Sequence, residues 1–357
     1  MLLRYLKSYI YNSVAELRIY FTLTKACNLS CLHCVRTHTP HNVYGEGSQI
    51  MSADKALDVI EALGKYYPNA TLAITGGEPT LHPRFDEIAF KATSYFKNIV
   101  LTSNGIFSDE VKDKLVSLTC FPNFFIQISL DGDEKTHEII RGKGTYKKTI
   151  KRIVQLSNEC RSGSVSISTT VSKLNQQSMF DLAKDLIGIP FHKWRIAPEQ
   201  IFNKEDLTRL ISTSEWNQFV DDILKICQFK VSIKKIYDFK LMDKALAAYS
   251  SGTNRSMRLN CGFGKYKMYI YPDFSVLPCT CISHFSIANL LENSVEETDR
   301  RLNACTPTCN EKSECAKCKY LPVCNGGCVG YSYHYNGIMG FGDIRCPKIN
   351  AKKNYDF

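Results

Sequence analysis

Along the first two hundred positions, apolar residues recur in two alternating rhythms. Short runs rich in β-branched and aromatic side chains read as strands: Leu17–Leu23, Thr71–Ile74, Asn98–Thr102, Phe124–Leu130, Val165–Val171 and His192–Ala197. Stretches of helical spacing separate most of them. After Ser52, a plausible N-cap, Ala56, Leu57, Ile60 and Leu63 form one face of a helix running to about Tyr66. Further helices are expected over Phe85–Phe96, Ser108–Leu118, Tyr146–Asn158 and Gln176–Ile187, the last stopped by Gly188 and Pro190. Strand–helix units in such succession imply parallel strands with right-handed crossovers, and sites at the C-terminal strand ends. The expected fold class is α/β, a partial (β/α)6 TIM-type barrel over residues 16–200. From Ile201 to about Met257 the pattern turns helical and charged, a linker over 201–257. Met268–Tyr271 and Ser275–Leu277 then read as a hairpin opening a cysteine-rich domain over 258–357; residues 1–15 stand apart as an N-terminal segment.

Composition narrows the class. A chain of 357 residues can bury a large core in two domains, and no 18-residue apolar run suggests a membrane span. Arg4 and Lys7 interrupt the N-terminus too early for a signal peptide, so a cytoplasmic location is expected. Sixteen cysteines in a reducing compartment point to metal rather than disulfides. The formal charge of +10 counts cysteines as neutral. Thiolates bound to metal carry negative charge and would remove part of that excess. The remaining basic bias fits an acidic partner. No basic run is interleaved with stacking aromatics, so nucleic acid is not an expected partner. Lys225, Lys230, Lys234, Lys235, Lys240 and Lys244 form either a solvated face or a dock for an acidic leader peptide.

The chemistry starts at Cys27-Asn28-Leu29-Ser30-Cys31-Leu32-His33-Cys34, directly after the first strand. Three thiolates this close can hold three corners of one cubane and leave the fourth iron open for chemistry. Structural zinc is the alternative, but His33, the nearby fourth ligand, would strain the loop. Gly76-Gly77-Glu78-Pro79 follows the second strand, where glycines let backbone approach a ligand closely. Asn104-Gly105 ends the third strand, and Ser129-Leu130-Asp131-Gly132 the fourth. On the fifth, Ser168 and Thr170 share a face, with Asn175 beyond. Near the C-terminus, Cys315-x2-Cys318-x5-Cys324-x3-Cys328 and Cys346, with Cys261 and Cys279 upstream, exceed what one zinc ribbon can use, so at least two metal sites are implied. Cys120, Cys160 and Cys227 lie outside any motif and are expected to be buried as small apolar residues.

These segments resemble the radical S-adenosylmethionine (SAM) superfamily with a C-terminal SPASM extension, over nearly the whole chain. The resemblance implies a [4Fe–4S] cluster on Cys27, Cys31 and Cys34, its open iron chelated by the amine and carboxylate of SAM. It implies SAM contacts at Gly76, Gly77 and Glu78 (amino group), Asn104, Ser129 and Asp131 (near the ribose), Arg141 (carboxylate) and Ser168. Thr170 and Asn175 are further candidates. His137 and Arg141 occupy the family's "HD..RG" stretch, with Glu138 in place of Asp. It also implies two auxiliary [4Fe–4S] clusters, one on Cys261, Cys279 and Cys328, the other on Cys315, Cys318, Cys324 and Cys346. The fourth ligand of the first stays open between Cys281, Cys305, Cys309 and substrate. Phe274 stands where the pattern usually has Gly, and Tyr331, Tyr333 and Tyr335 are expected to pack the cluster shell. The implied activity is reductive SAM cleavage to a 5′-deoxyadenosyl radical that abstracts hydrogen from a ribosomally made peptide, forming an oxidative crosslink. A sulfatase-maturing enzyme and a small-molecule dehydrogenase are the alternatives. Expected partners are a precursor peptide or protein substrate and an electron donor such as flavodoxin or ferredoxin. No peptide-recognition domain is expected before the first strand, so leader binding falls to the body of the enzyme or a separate protein.

Overall fold

The computed structural model describes residues 16–34, 50–252, 259, 263–264, 266–282, 285–305 and 309–353. Ten strands form one sheet: β1 (Arg18–Thr22), β2 (Thr71–Thr75), β3 (Asn98–Ser103), β4 (Phe124–Ser129), β5 (Val165–Val171), β6 (Trp194–Pro198), β7 (Val231–Ser232), β8 (Lys267–Ile270), β9 (Ser275–Leu277) and β10 (Ala288–Asn289). The order is β10-β9-β8-β1-β2-β3-β4-β5-β6-β7. Every pair from β8 through β7 is parallel, and only β8–β9 and β9–β10 are antiparallel. The six strands expected from the sequence are present, with ends shifted by a residue or two.

Alternation along the strands divides the side chains. Ile19, Phe21, Leu72, Ile74, Ile99, Leu101, Ile126, Ile128 and Ile167 are fully buried and belong to the main core. That core includes Ile60 and Leu63 of the helix Ala53–Tyr66 and Ile153 and Leu156 of the helix Thr145–Glu159. The alternate residues, including Tyr20, Thr75, Thr102, Ser129, Thr170, Arg195 and Tyr269, line a single cavity. Seven strands about 4.8 Å apart would span roughly 30 Å if laid flat, so a shared cavity requires the sheet to curl around it.

Three features were not expected. The helix Glu134–Arg141 sits just after β4, its start capped by Asp133, whose carboxylate accepts from Thr136 N–H (2.9 Å). Two-residue β7 lies within the charged linker stretch and extends the sheet beyond β6. The hairpin is present, but its first strand, β8, pairs with β1 from Arg18↔Lys267 to Phe21↔Ile270, so the C-terminal part of the chain supplies a strand to the barrel sheet. In the hairpin turn Phe274 has φ +65°, the left-handed conformation that glycine adopts without strain. Its ring is buried in the main core, and its N–H donates to Tyr271 O (2.8 Å). Among the described residues, no helix is long and apolar enough to cross a membrane.

Candidate active site at the carboxyl ends of the strands

The cysteine loop leaves β1 and is stitched to the two strand ends beside it. Gly77 N–H donates to Thr24 O (2.7 Å) and Glu78 N–H to Ala26 O (2.8 Å). Gly76 sits at φ +152°, where an added Cβ would lie 2.5 Å from Thr24 O, so only glycine allows the two backbones to touch. Asn28 of the loop joins the turn after β3: Asn104 Nδ2 donates to Asn28 Oδ1 (2.7 Å), and Asn28 Nδ2 to Ile106 O (2.8 Å). Leu32 N–H donates to Ile140 O (2.8 Å), fixing the loop to the helix Glu134–Arg141.

Cys27, Cys31 and Cys34 line a cavity of about 470 Å³ together with Gly76, Gly77, Glu78, Asn104, Ser129, Thr170 and Arg141. Leu29 N–H points at Cys27 Sγ (3.4 Å) and helps fix that thiol within the loop. Burial pushes the Cys31 thiol up to about 11 against the pull of Arg141, so metal binding there must release a proton. Among the described residues, no three His, Cys, Asp or Glu side chains converge on one ion position. A cubane needs no such convergence, because each thiolate meets a different iron. Three thiols spread over one cavity wall fit that donor set.

Two residues expected to touch SAM do not line the cavity. Asp131 is fully buried beneath it. Its Oδ2 accepts from His33 Nε2 (2.7 Å) and Arg141 Nε (2.5 Å), and its Oδ1 from Thr170 N–H (2.8 Å). Burial opposes its ionisation, but Arg141 and His33 outweigh burial and hold the carboxyl well below its usual range. Asp131, for which a ribose contact is expected, is thus engaged at both oxygens within the protein and holds His33 and Arg141 in place. Ser168 shares the face of Thr170 but lies one step deeper, outside the cavity lining. Arg141 does line the cavity, with Nη1 3.9 Å from Cys31 Sγ and Nε committed to Asp131.

Glu78 lines the cavity but is largely buried: Oε1 accepts from Thr80 Oγ1 (2.7 Å) and Oε2 from Asn104 N–H (2.8 Å), joining the ends of β2 and β3. Burial raises its pKa against the hydrogen bonds from Asn104, Thr80 and Ser103. His137 is buried, and its Nδ1 accepts from Asp131 N–H (3.1 Å). Burial pulls its pKa down to about 4, so it is neutral. Asn175 caps the β5 end, donating to Asp131 O (3.0 Å) and Thr170 O (2.8 Å). The sequence gave no signal for Tyr20, Arg195, Glu199, Gln200, Lys267, Tyr269 and Arg345, which complete the cavity wall. Tyr20 and Tyr269 stack across β1 and β8 at 4.5 Å, a pairing visible only once β8 is seen beside β1.

The C-terminal cysteines form two groups. Cys315, Cys318, Cys324 and Cys346 line one hollow with Tyr237, Met242 and Tyr320. Burial pushes the Cys315 thiol up to about 12, reinforced by Cys309, Cys324, Cys346 and Cys318. Cys309 lies near this group and also lines a small hollow with Gly327 and Cys328. Cys279, Cys281 and Cys328 share a separate apolar cluster with Ile201, Phe202 and Tyr331. Cys281 S–H donates to Gln200 Oε1 (3.4 Å), so this group backs onto the main cavity wall. Cys305 packs with Cys279 in an adjoining cluster, and Cys261 lies outside the described residues. Gly327, φ +82°, leaves no room for a Cβ, which would meet Tyr237 Oη at 2.2 Å and Asp343 Cβ at 2.6 Å. Asp343 in turn accepts from Cys328 N–H (3.0 Å) and pairs with Arg345 (2.7 Å). Of the cysteines outside motifs, Cys160 is buried and Cys227 half-buried, but Cys120 is exposed, a correction to its expected burial: it lies in the turn after the helix Asp109–Leu118.

A curled parallel sheet that gathers three thiols of one loop, glycine-rich strand ends and a guanidinium into one cavity defines a cluster-dependent α/β enzyme. The model of the radical SAM superfamily matches residues 21–186. A domain of that kind implies a [4Fe–4S] cluster and SAM. Mycofactocin maturase MftC of Mycolicibacterium smegmatis is 24% identical over 89% of this chain and 79% of its own length. The antilisterial bacteriocin subtilosin biosynthesis protein AlbA of Bacillus subtilis is 26% identical, over 90% of this chain and 70% of its own. Among solved structures, Streptococcus suis SuiB bound to SAM superposes with TM-score 0.72 at 15% identity, covering 96% of this chain and 80% of its own. SuiB bound to the precursor peptide SuiA gives 0.70 at 16%, covering 96% and 78%.

Proposed function

We propose that this enzyme is a peptide maturase that removes hydrogen from a ribosomally made precursor peptide and leaves an oxidative crosslink. The carrying observation is the convergence of Cys27, Cys31, Cys34, Gly76, Gly77, Asn104, Ser129 and Arg141 on one cavity. Similarity to MftC and AlbA along most of the chain, beyond the radical SAM region, supports a peptide substrate. When bound, the cluster and SAM supply a one-electron cleavage to methionine and a 5′-deoxyadenosyl radical able to take hydrogen from an unactivated C–H bond.

The chain's own residues prepare that step. Cys27, Cys31 and Cys34 hold the cluster. Asp131 aims Arg141 at the cluster and cavity and clamps the loop through His33. Backbone groups of Gly76 and Gly77 and the side chains of Asn104 and Ser129 are placed to orient SAM. The stacked Tyr20 and Tyr269 wall the cavity against water. Cys315, Cys318, Cys324 and Cys346 hold one auxiliary [4Fe–4S] cluster. Cys261, Cys279 and Cys328 hold the other, with Cys281 favoured as fourth ligand by its place beside Cys279 and Cys328. Clusters held by these cysteines would supply an acceptor for the electron left by substrate oxidation, and a flavodoxin or ferredoxin in the cytoplasm would supply the initiating electron.

The test is anaerobic co-expression with a candidate precursor peptide, followed by mass spectrometry. The expected product is lighter by two hydrogens per crosslink, with 5′-deoxyadenosine formed alongside. SAM cleavage with every peptide left unchanged in mass would sink the crosslinking reading.

A further inference from the structure

Away from the cysteine loop, at the N-terminal ends of the strands, lies a second cavity of about 550 Å³. Arg18 of β1, Arg195 of β6, and Lys193, His192 and Lys234 line it, and no Asp or Glu does. The cations crowd one another. Burial lowers the pKa of Lys193, and Lys230, Arg18 and Arg195 lower it further; burial, Arg195 and Lys267 do the same to Lys234. Arg195 is likewise pulled down by burial. Among the described residues, Arg18, Lys193 and Arg195 have no carboxylate within ion-pair distance, whereas Arg84, Arg141, Arg152 and Arg209 each do. Two neighbours of Lys234 in sequence are neutralised: Lys225 by Asp222 (2.8 Å) and Lys235 by Asp221 (2.6 Å). Like charges on a partly desolvated wall repel and lose hydration, a cost that an anion among them removes.

Arg195 lines both this cavity and the one that holds the cysteine loop, so it stands between the two. Ser232 and Lys234 are exposed, so it opens to solvent beside β7, the edge of the sheet. The chain's own N-terminal stretch has the wrong charge to fill it, since residues 1–15 include Arg4 and Lys7 and no acidic residue.

We propose that this basal cavity binds a carboxylate-bearing segment of the substrate peptide, held by Arg18, Lys193, Arg195 and Lys234. The inference rests on the peptide-maturase reading and gives it a recognition element: an acidic stretch enters past β7 while the reacting residues occupy the upper cavity.

Fluorescein-labelled hexaglutamate, titrated into the full-length cluster-loaded enzyme and followed by anisotropy, tests it. Lys193→Glu with Lys234→Glu weakens binding by about tenfold or more, whereas Lys225→Glu with Lys235→Glu changes it by less than about twofold. Added salt weakens wild-type binding. Far-UV circular dichroism reports whether the variants fold, and Lys193→Gln with Lys234→Gln replaces the charge reversal if they do not. Equal weakening by both pairs overturns the proposal, because bulk charge then explains binding. Absence of wild-type binding at low salt overturns it too, as does a cavity that prefers inorganic phosphate to hexaglutamate. Failure of the peptide reading looks different: hexaglutamate binding stays sensitive to Lys193 and Lys234 while co-expressed precursor peptides remain unmodified.

Discussion

Asp131 does more for this site than several residues that meet the cavity, although it never does so itself. Its carboxylate joins the cysteine loop through His33, the guanidinium through Arg141 and the β5 end through Thr170. Asp131→Asn keeps the shape and leaves Arg141 buried without a counter-charge, a loss of about 3–5 kcal/mol, to be read by denaturant unfolding. The sign follows from the depressed carboxyl: its stabilisation is complete above about pH 4 and is lost only as pH falls through the lowered value. The gap between wild type and variant is therefore flat from neutral to alkaline pH and narrows in acid. Gly76→Ala acts locally. Its Cβ collides with Thr24 O, so the loop shifts, and iron bound at Cys27, Cys31 and Cys34 falls while far-UV circular dichroism holds. The sequence marked both positions as ligand contacts. It could not show that Asp131 lies outside the cavity lining, because burial and the His33 partnership depend on a loop roughly a hundred residues distant in sequence.

Element by element, hydrophobic period found the six strands because each carries an unbroken apolar face packed under helices. It missed the helix Glu134–Arg141, which buries only His137 and Ile140 and so has almost no apolar stripe to detect. It missed β7, whose two residues are too few for a period. The hairpin turn shows the reverse case. Phe274 breaks the glycine pattern, yet the backbone keeps the left-handed conformation that glycine would take. The strain costs about 1–2 kcal/mol, while the buried ring is worth about 3–5 kcal/mol. Phe274→Gly should therefore lower stability by about 2 kcal/mol, measured by urea unfolding; a gain in stability would mean the ring contributes less than its burial suggests.

Across the molecule, Cys315, Cys318, Cys324 and Cys346 share one hollow, and Cys279, Cys281 and Cys328 share one apolar cluster. Spacing alone does not divide them, since Cys324 and Cys328 are close in sequence yet fall in different groups, whereas Cys281 is among the sequence candidates to stand beside Cys279 and Cys328. Replacing Cys27, Cys31 and Cys34 together with Ala should abolish 5′-deoxyadenosine formation and leave the iron of the C-terminal groups in place, as read by iron analysis and electron paramagnetic resonance. Loss of all iron would show that the groups do not load independently. Beneath these centres runs the shared sheet, in which β8 covers the edge of β1 from Arg18 to Phe21. A nick between residues 252 and 266 would leave the two pieces associated, whereas dissociating them would bare the backbone of β1 as an adhesive edge. Separate metal loading at the loop and at the C-terminal cysteines would thus coexist with a single cooperative melting transition: recombining the C-terminal part with another barrel would transplant a wall of that barrel along with its cysteine groups.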